Sequence, residues 1–501
     1  MRSRHSARRW ACRGGTAALA AMALGAGMQV AVTGAQAATA GPPATANPYS
    51  PAYHHSYRQG VIPTRPQLAK MRAWTRSHPA QAAAASPNDL NYGGGIGGIG
   101  VTTGQEKVYL VFYGSQWGTQ STNAKGDITL SGDPSGAAPY LQEFFKGLGT
   151  NGELWSGVMT QYCDGVAVGA QSCPASNTEH VAYPSGGVLA GVWVDESAPS
   201  PSQATPAQLG TEAVDAAAHF GNTTAAANRD AQYDILSPTG THPDGFGPSG
   251  TFCAWHDWNG DPFVGVTSPY GDIAFTNMPY VTDLGASCGE NFVDAGSAGL
   301  ADGFSIVNGH EYAETITDQN PPGGWTDSSG EENADKCAWI TPGTSGGAFD
   351  LALASGTFAV QTSWANDGGA GAGACEASHP IVTNAGSSSG DTVTVSAPAS
   401  QSTRRNTAVS LQISAADSAS GQTLSYSATG LPRGLAINSA TGLISGTPTR
   451  TGTSTVRVTA ADTTGAAGSA SSPGRSTADR GVINVQYPFS YRRISFECPS
   501  A

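Results

Sequence analysis

The chain changes character at Ala385 to Gly390, a short Gly/Ser run. A run of that composition reads as a flexible linker. Before it, strand-like and helix-like apolar patterns alternate. After it, only strand-like patterns remain. Thr392 to Val395, Ala408 to Ser414, Thr423 to Ala428 and Ser454 to Ala460 alternate polar and apolar residues at period two. That spacing puts the apolar side chains of each strand on one face. Turn sequences separate the runs at Ser420-Gly421, Leu431-Pro432-Arg433-Gly434, Ala440-Thr441-Gly442 and Thr451-Gly452. A small all-β sandwich is therefore expected over 391–472, after a linker at 386–390. An atypical tail follows over 473–501, rich in Pro, Arg and Ser, and the sandwich is expected to lack its last strand or to have it replaced.

The longer region before the linker has mixed signals. Lys107 to Gly114 is a continuous apolar run, as in a strand buried on both faces. Ala137 to Leu148 carries Leu141, Phe144, Phe145 and Leu148 at helical spacing and stops at Gly149. Further strands are expected at Gly187 to Val194, Ala231 to Ser237, Thr251 to Trp258, Ile273 to Met278 and Phe358 to Trp364. Further helices are expected at Pro206 to Phe220 and within Gly299 to Thr317. Strands and helices alternate, so the expected fold of 91–385 is α/β or α+β.

The N-terminus carries an export pattern. Arg2, Arg4, Arg8, Arg9 and Arg13 precede the apolar stretch Thr16 to Val32, and Ala35-Gln36-Ala37 supplies a small-residue cleavage site. Residues 1–37 thus read as a signal peptide; the competing reading, a membrane anchor, needs a longer unbroken span. Residues 38–90 read as a pro-segment or disordered arm, with only Gln67 to Trp74 helical. Once the signal is removed, no membrane span is expected. The protein should be secreted or extracellular, in some settings wall-associated, and a monomer. Charged residues are only 12% and glycines number 66, which suits a loop-rich exported chain. The net charge of -13 argues against a nucleic-acid partner.

Six cysteines lie in the central region. An even count in an exported chain implies disulfides. Nearest-neighbour pairing is expected: Cys163–Cys173, Cys253–Cys288 and Cys337–Cys375. Cys498 is left over in the tail.

The chemistry concentrates in Val307-Asn308-Gly309-His310-Glu311-Tyr312-Ala313-Glu314 and the acidic stretch Gly330 to Cys337. His310 and Glu314 are four residues apart, on one face of a helix. The pattern is that of an H-E-x-x-H metallohydrolase with a carboxylate in place of the second imidazole. Glu331 or Glu332 could supply a third ligand, Glu332 being preferred. Asp335 could join the site or accept a hydrogen bond from the His310 ring and so fix its tautomer. A metal-bound water would be acidified, with Glu311 as general base. His256 could add a donor to the transition state. The metal expected is a divalent cation, zinc favoured and calcium possible, since more carboxylates favour harder ions. The expected function is a secreted metal-dependent hydrolase, most simply a peptidase, acting on extracellular protein or cell-wall material. The competing reading of the motif is a solvent-facing helix whose acids are merely hydrated.

Two other classes stand beside it. Gly343-Thr344-Ser345-Gly346-Gly347 resembles the Gly-x-Ser-Gly-Gly loop of chymotrypsin-like serine proteases, and Ser345 with His256 and Asp283 would make a triad. Thr344 stands where that loop has aspartate. The second class is a non-enzymatic extracellular or cell-surface binding protein.

Two resemblances bear on these readings. Gly430-Leu431-Pro432-Arg433-Gly434-Leu435, Thr441-Gly442-Leu443-Ile444-Ser445-Gly446-Thr447-Pro448 and Val456 to Asp462 closely resemble the Ig-like domains of bacterial extracellular proteins (the He_PIG type). The resemblance covers about 391–470. It implies a cadherin-like sandwich of a kind described as calcium-binding and surface-associated, with Asp417 and Asp462 as the acidic candidates. Tyr92-Gly93-Gly94-Gly95, Val108 to Gly114, Leu141 to Leu148, Phe252 to His256 and Val360-Gln361 with Trp364 resemble the plant Exordium, or phosphate-induced, family and its bacterial relatives. That resemblance implies an extracellular protein and a shared fold, without an activity.

Overall fold

The structure is a computed structural model. It describes residues 47–78, 89–174, 177, 179–382, 393–396, 401–417, 423–461, 467–470 and 481–484. The expected signal peptide, the 386–390 linker and Asp462 lie outside the described residues.

Six strands form the central sheet: β1 (Gln59–Pro63), β2 (Lys107–Tyr113), β3 (Leu189–Asp195), β4 (Ala231–Leu236), β5 (Phe252–Trp258) and β6 (Ala274–Met278). Their order is β1-β5-β6-β4-β2-β3. β6, β4, β2 and β3 run parallel. β5 is antiparallel to β6, and β1 is antiparallel to β5. Parallel strands need cover on both faces. The sequence supplies it: Val108 to Phe112 and all of β4 and β6 are buried.

The mixed α/β reading of the central region therefore holds. Helices α1 (Arg65–Ser77), α2 (Ala137–Gly147), α3 (Pro206–His219) and α4 (Asp302–Thr317) accompany the sheet. A Thr205/Gln208 capping box opens α3, satisfying two backbone donors at its first turn. α4 packs against β1, β5 and the second strand of a hairpin, β7 (Phe349–Ala352) and β8 (Thr357–Val360). All sixteen residues of α4 are buried. This corrects the picture of a solvent-facing helix with hydrated acids. Helical spacing defines faces, but only neighbours decide which of them see water.

Of the two readings of 38–90, the disordered arm is corrected for residues 47–78. Its QGVIP segment is the edge strand of the main sheet, and the helix expected at Gln67 to Trp74 extends over all of α1. The polar composition of the whole stretch hid a five-residue segment that buries three side chains, Val61, Ile62 and Pro63.

The three disulfides pair as expected: Cys163–Cys173, Cys253–Cys288 and Cys337–Cys375.

The C-terminal region is strand-rich. Val393–Ser396 pairs with Ser414–Asp417. Leu443–Gly446 pairs with both Val409–Gln412 and Leu435–Ile437. Ser425–Thr429 pairs with Arg457–Ala461, which also takes Ala467–Ala470. Val395, Ile413, Ile444, Val456 and Val458 form its core. The missing last strand is a further correction. Gly481–Asn484 pairs with Gln401–Thr403 and with Thr453–Thr455. A short apolar run inside a Pro- and Arg-rich tail was enough for pairing.

Candidate metal centre

Five pieces of chain meet around His310, one of them β1 with the Gly60 carbonyl. α4 carries His310, Glu311 and Glu314. The loop after it carries Glu332 and Asp335. β5 carries His256, and Gln361 follows β8 directly.

The helical spacing works as local geometry dictates. His310 Nε2 and Glu314 Oε2 are 2.9 Å apart. Glu314 Oε1 accepts from the backbone N–H groups of Ala334 (3.1 Å) and Asp335 (2.7 Å). This clamps the acidic loop onto the helix. It brings Asp335 Oδ1 to 3.6 Å from the same His310 nitrogen. The neighbouring Cys337–Cys375 bridge fixes the far side of that loop.

The tautomer of His310 follows from its other nitrogen. Gln361 Nε2 donates to the carbonyl oxygens of Ala334 (2.7 Å) and Thr362 (3.3 Å). Its Oε1 must then face His310 Nδ1, at 3.1 Å. An amide oxygen only accepts, so Nδ1 carries a proton. In the neutral ring Nε2 is then a bare lone pair. Yet three oxygens surround it: Glu314 Oε2, Asp335 Oδ1 and, at 3.2 Å, the carbonyl of Gly60. Lone pairs facing one another need a proton or a cation between them. Ligands held about 2.0–2.2 Å from one zinc ion at tetrahedral angles stand about 3.3 Å apart, and these separations bracket that value.

This geometry corrects one assignment. Asp335 does not orient the ring through Nδ1; Gln361 does. Asp335 instead faces the ligand side, where His310, Glu314 and Asp335 offer atoms within 4.8 Å of one another. Glu332 is not in that group. Its Oε1 lies 3.3 Å from His256 Nε2. A second overlapping group comprises His256, Glu311 and Glu314. Sequence reasoning missed the Gly60 carbonyl entirely. Gln361 entered it only within a segment of the Exordium resemblance.

The buried acids lack partners and crowd one another. Both oxygens of Glu311 are buried without a hydrogen-bond partner, as is Glu332 Oε2. Burial, then repulsion from neighbouring acids, pushes Glu311 and Glu332 well above the usual carboxylate range. Burial and Glu314 push Asp335 up to about 7. Burial alone would lower His310, but Glu314 and Asp335 raise it well above the usual imidazole value. Burial and then His310 lower His256 to about 3, so its ring is neutral. One protonated imidazole offsets one of four acids, and a divalent cation would offset two more.

The serine triad does not assemble. Ser345 is exposed in a turn, whereas His256 is fully buried with its Nδ1 unpartnered. Asp283 instead accepts from Thr239 Oγ1 and Gly240 N.

Residues 391–473 match the family model described as "Putative Ig domain" (He_PIG). No curated protein matches the chain. Two solved structures from Bacteroides fragilis overlap it briefly. One, described as a putative alpha-galactosidase/melibiase, is 22% identical over 17% of this chain and 15% of its own, with a TM-score of 0.12. The other, described as a putative alpha-galactosidase, is 24% identical over 19% and 18%, with a TM-score of 0.15. The chain spans less than a fifth of either, and neither informs its function.

Proposed function

We propose that the central domain is a metal-dependent hydrolase of the extracellular space, acting on peptide bonds. The observation that carries this reading is the convergence of three oxygens, from Glu314, Asp335 and the Gly60 carbonyl, on His310 Nε2. His310, Glu314 and Asp335 hold the cation. A divalent cation bound there would acidify a water and polarise a substrate carbonyl. Glu311 is the general base. Its carboxylate has no protein partner, lies beside the cation ligands, and can take the water's proton and hand it to the leaving amine. Gln361 positions the His310 ring. His256 and Glu332 form a neutral-imidazole/carboxylate pair on the other side of the site. The three disulfides and the Ig-like module fit an exported protein.

A second reading rests on a specific feature. The site is enclosed, and the Gly60 backbone completes it. Closed sites usually hold structural ions. In that reading the cation ties the N-terminal strand to α4 in a non-enzymatic surface protein, with the Ig-like module as a spacer.

Metal analysis of the purified protein, with hydrolysis assays on casein and on cell-wall glycans, separates the two. Glu311→Gln is expected to keep the cation and to lose about 10²–10⁴-fold in hydrolysis. Bound cation with no hydrolysis by the wild type under any activation would leave only the structural reading.

A further inference from the structure

β1 is an edge strand, and removing it would expose the edge of β5 beside the candidate site. A sheet edge of that kind binds extended peptides by adding a strand. β1 already lies there as such a strand. Gln59 pairs with His256, and the register shifts between Gln59 and Ile62, at Gly60 and Val61. The shift turns the Gly60 carbonyl to His310 Nε2. Gly60 has φ +48, and a Cβ there would overlap Glu314 Oε2 and the His256 ring. Only glycine fits that point on the strand.

The surrounding contacts are those of an inserted segment. Arg58 pairs with Asp244 at 2.7 Å and lies over the Phe252 ring. Trp339 donates to the Pro63 carbonyl. Beyond the strand, α1 buries only Gln67. The buried part of the grip is centred on residues 58–64, with Tyr57, Arg65 and Arg72 adding contacts at its margins.

We propose that residues 59–63 occupy the cleft in which an extended peptide substrate binds, with the Gly60 carbonyl where the scissile carbonyl would lie. The folded chain is then self-blocked, and its substrate class is an extended peptide with glycine at that position. The proposal rests on the hydrolase reading, and it names that site's substrate and its control.

The test uses the full chain with the site of a sequence-specific protease substituted within 80–87. The probe is a labelled synthetic peptide spanning residues 56–66. Cutting is expected to raise binding of this probe at least tenfold, and to raise peptide hydrolysis in the presence of zinc. A probe with alanine at the position of Gly60 is expected to bind at least tenfold more weakly. Arg58→Ala in the uncut chain provides a second route, since it loosens the strand without touching the site. It should raise amide exchange at 59–63 and probe binding together. Equal binding of the glycine and alanine probes overturns the proposal. So does a cut fragment that a thousandfold excess of probe cannot displace. Probe binding without zinc binding would sink the metal reading and leave the strand proposal standing; zinc binding without probe binding does the reverse.

Discussion

The sharpest consequence concerns Glu314→Gln. The variant keeps an oxygen for the Ala334 and Asp335 amides, so the loop clamp survives. Its new NH₂ group faces His310 Nε2, where the lone pair can accept. One substitution thus supplies a donor to the neutral ring where the proposal puts a cation in the wild type. It also removes one acid from a crowded set. Ionised groups within 4.8 Å repel by about 3.5 kcal/mol at an effective dielectric constant of 20. The cation-free variant should therefore melt no lower than the cation-free wild type. Adding cation should then reverse the order. At a hundredfold excess over its dissociation constant, a ligand of the folded state adds about 2.7 kcal/mol. Unfolding roughly 300 residues carries an entropy of about 0.6 kcal/mol/K, so the wild type should gain about 4 °C. The variant should gain almost nothing. Calorimetric scans with EDTA, zinc, manganese and calcium make the measurement. Equal shifts in both proteins, or no shift of the wild type with any of the three ions, would refute the assignment of Glu314.

Three further outcomes follow from the same contacts. Gln361→Leu frees the His310 ring to rotate and should weaken cation binding about 10–100-fold by titration calorimetry; unchanged affinity would remove Gln361 from the site. Glu106 is buried, accepts from Tyr312 at 2.7 Å and is pushed by burial up to about 8, from an ordinary 4.5. Between those values the folded state holds a proton that the unfolded chain has released, so stability falls as pH rises, by up to about 1.4 kcal/mol per pH unit. Glu106→Gln should flatten urea-unfolding free energies across that window, and an unchanged slope would contradict it. Replacing Cys337 and Cys375 by serine opens a bridge spanning 38 residues. The loss should be about 2–5 kcal/mol, with cation binding weakened as well because Asp335 loses its anchor; intact cation affinity would show that the Glu314 clamp suffices alone.

Much of this was legible in the chain. Period-two runs after 390 mark the strand-rich region, and the continuous apolar run at 107–114 marks a central strand. His310 and Glu314 share a helix face because four residues make one turn, whatever surrounds the helix. Short sequence separations made the disulfide pairing readable. These are local properties, set by backbone geometry or by neighbours along the chain. The rest was settled by long-range contacts. Gln361 and Gly60 reach His310 across 51 and 250 residues, and no spacing rule links them. Asp335 faces His310 while Glu332 lies against His256 because the Glu314 clamp, not the acidic run itself, aims the loop. Burial of all of α4 depends on the sheet, the hairpin and the N-terminal strand closing around it. A sequence declares which groups can bear charge; only the packing decides which are stripped of water and left facing one another.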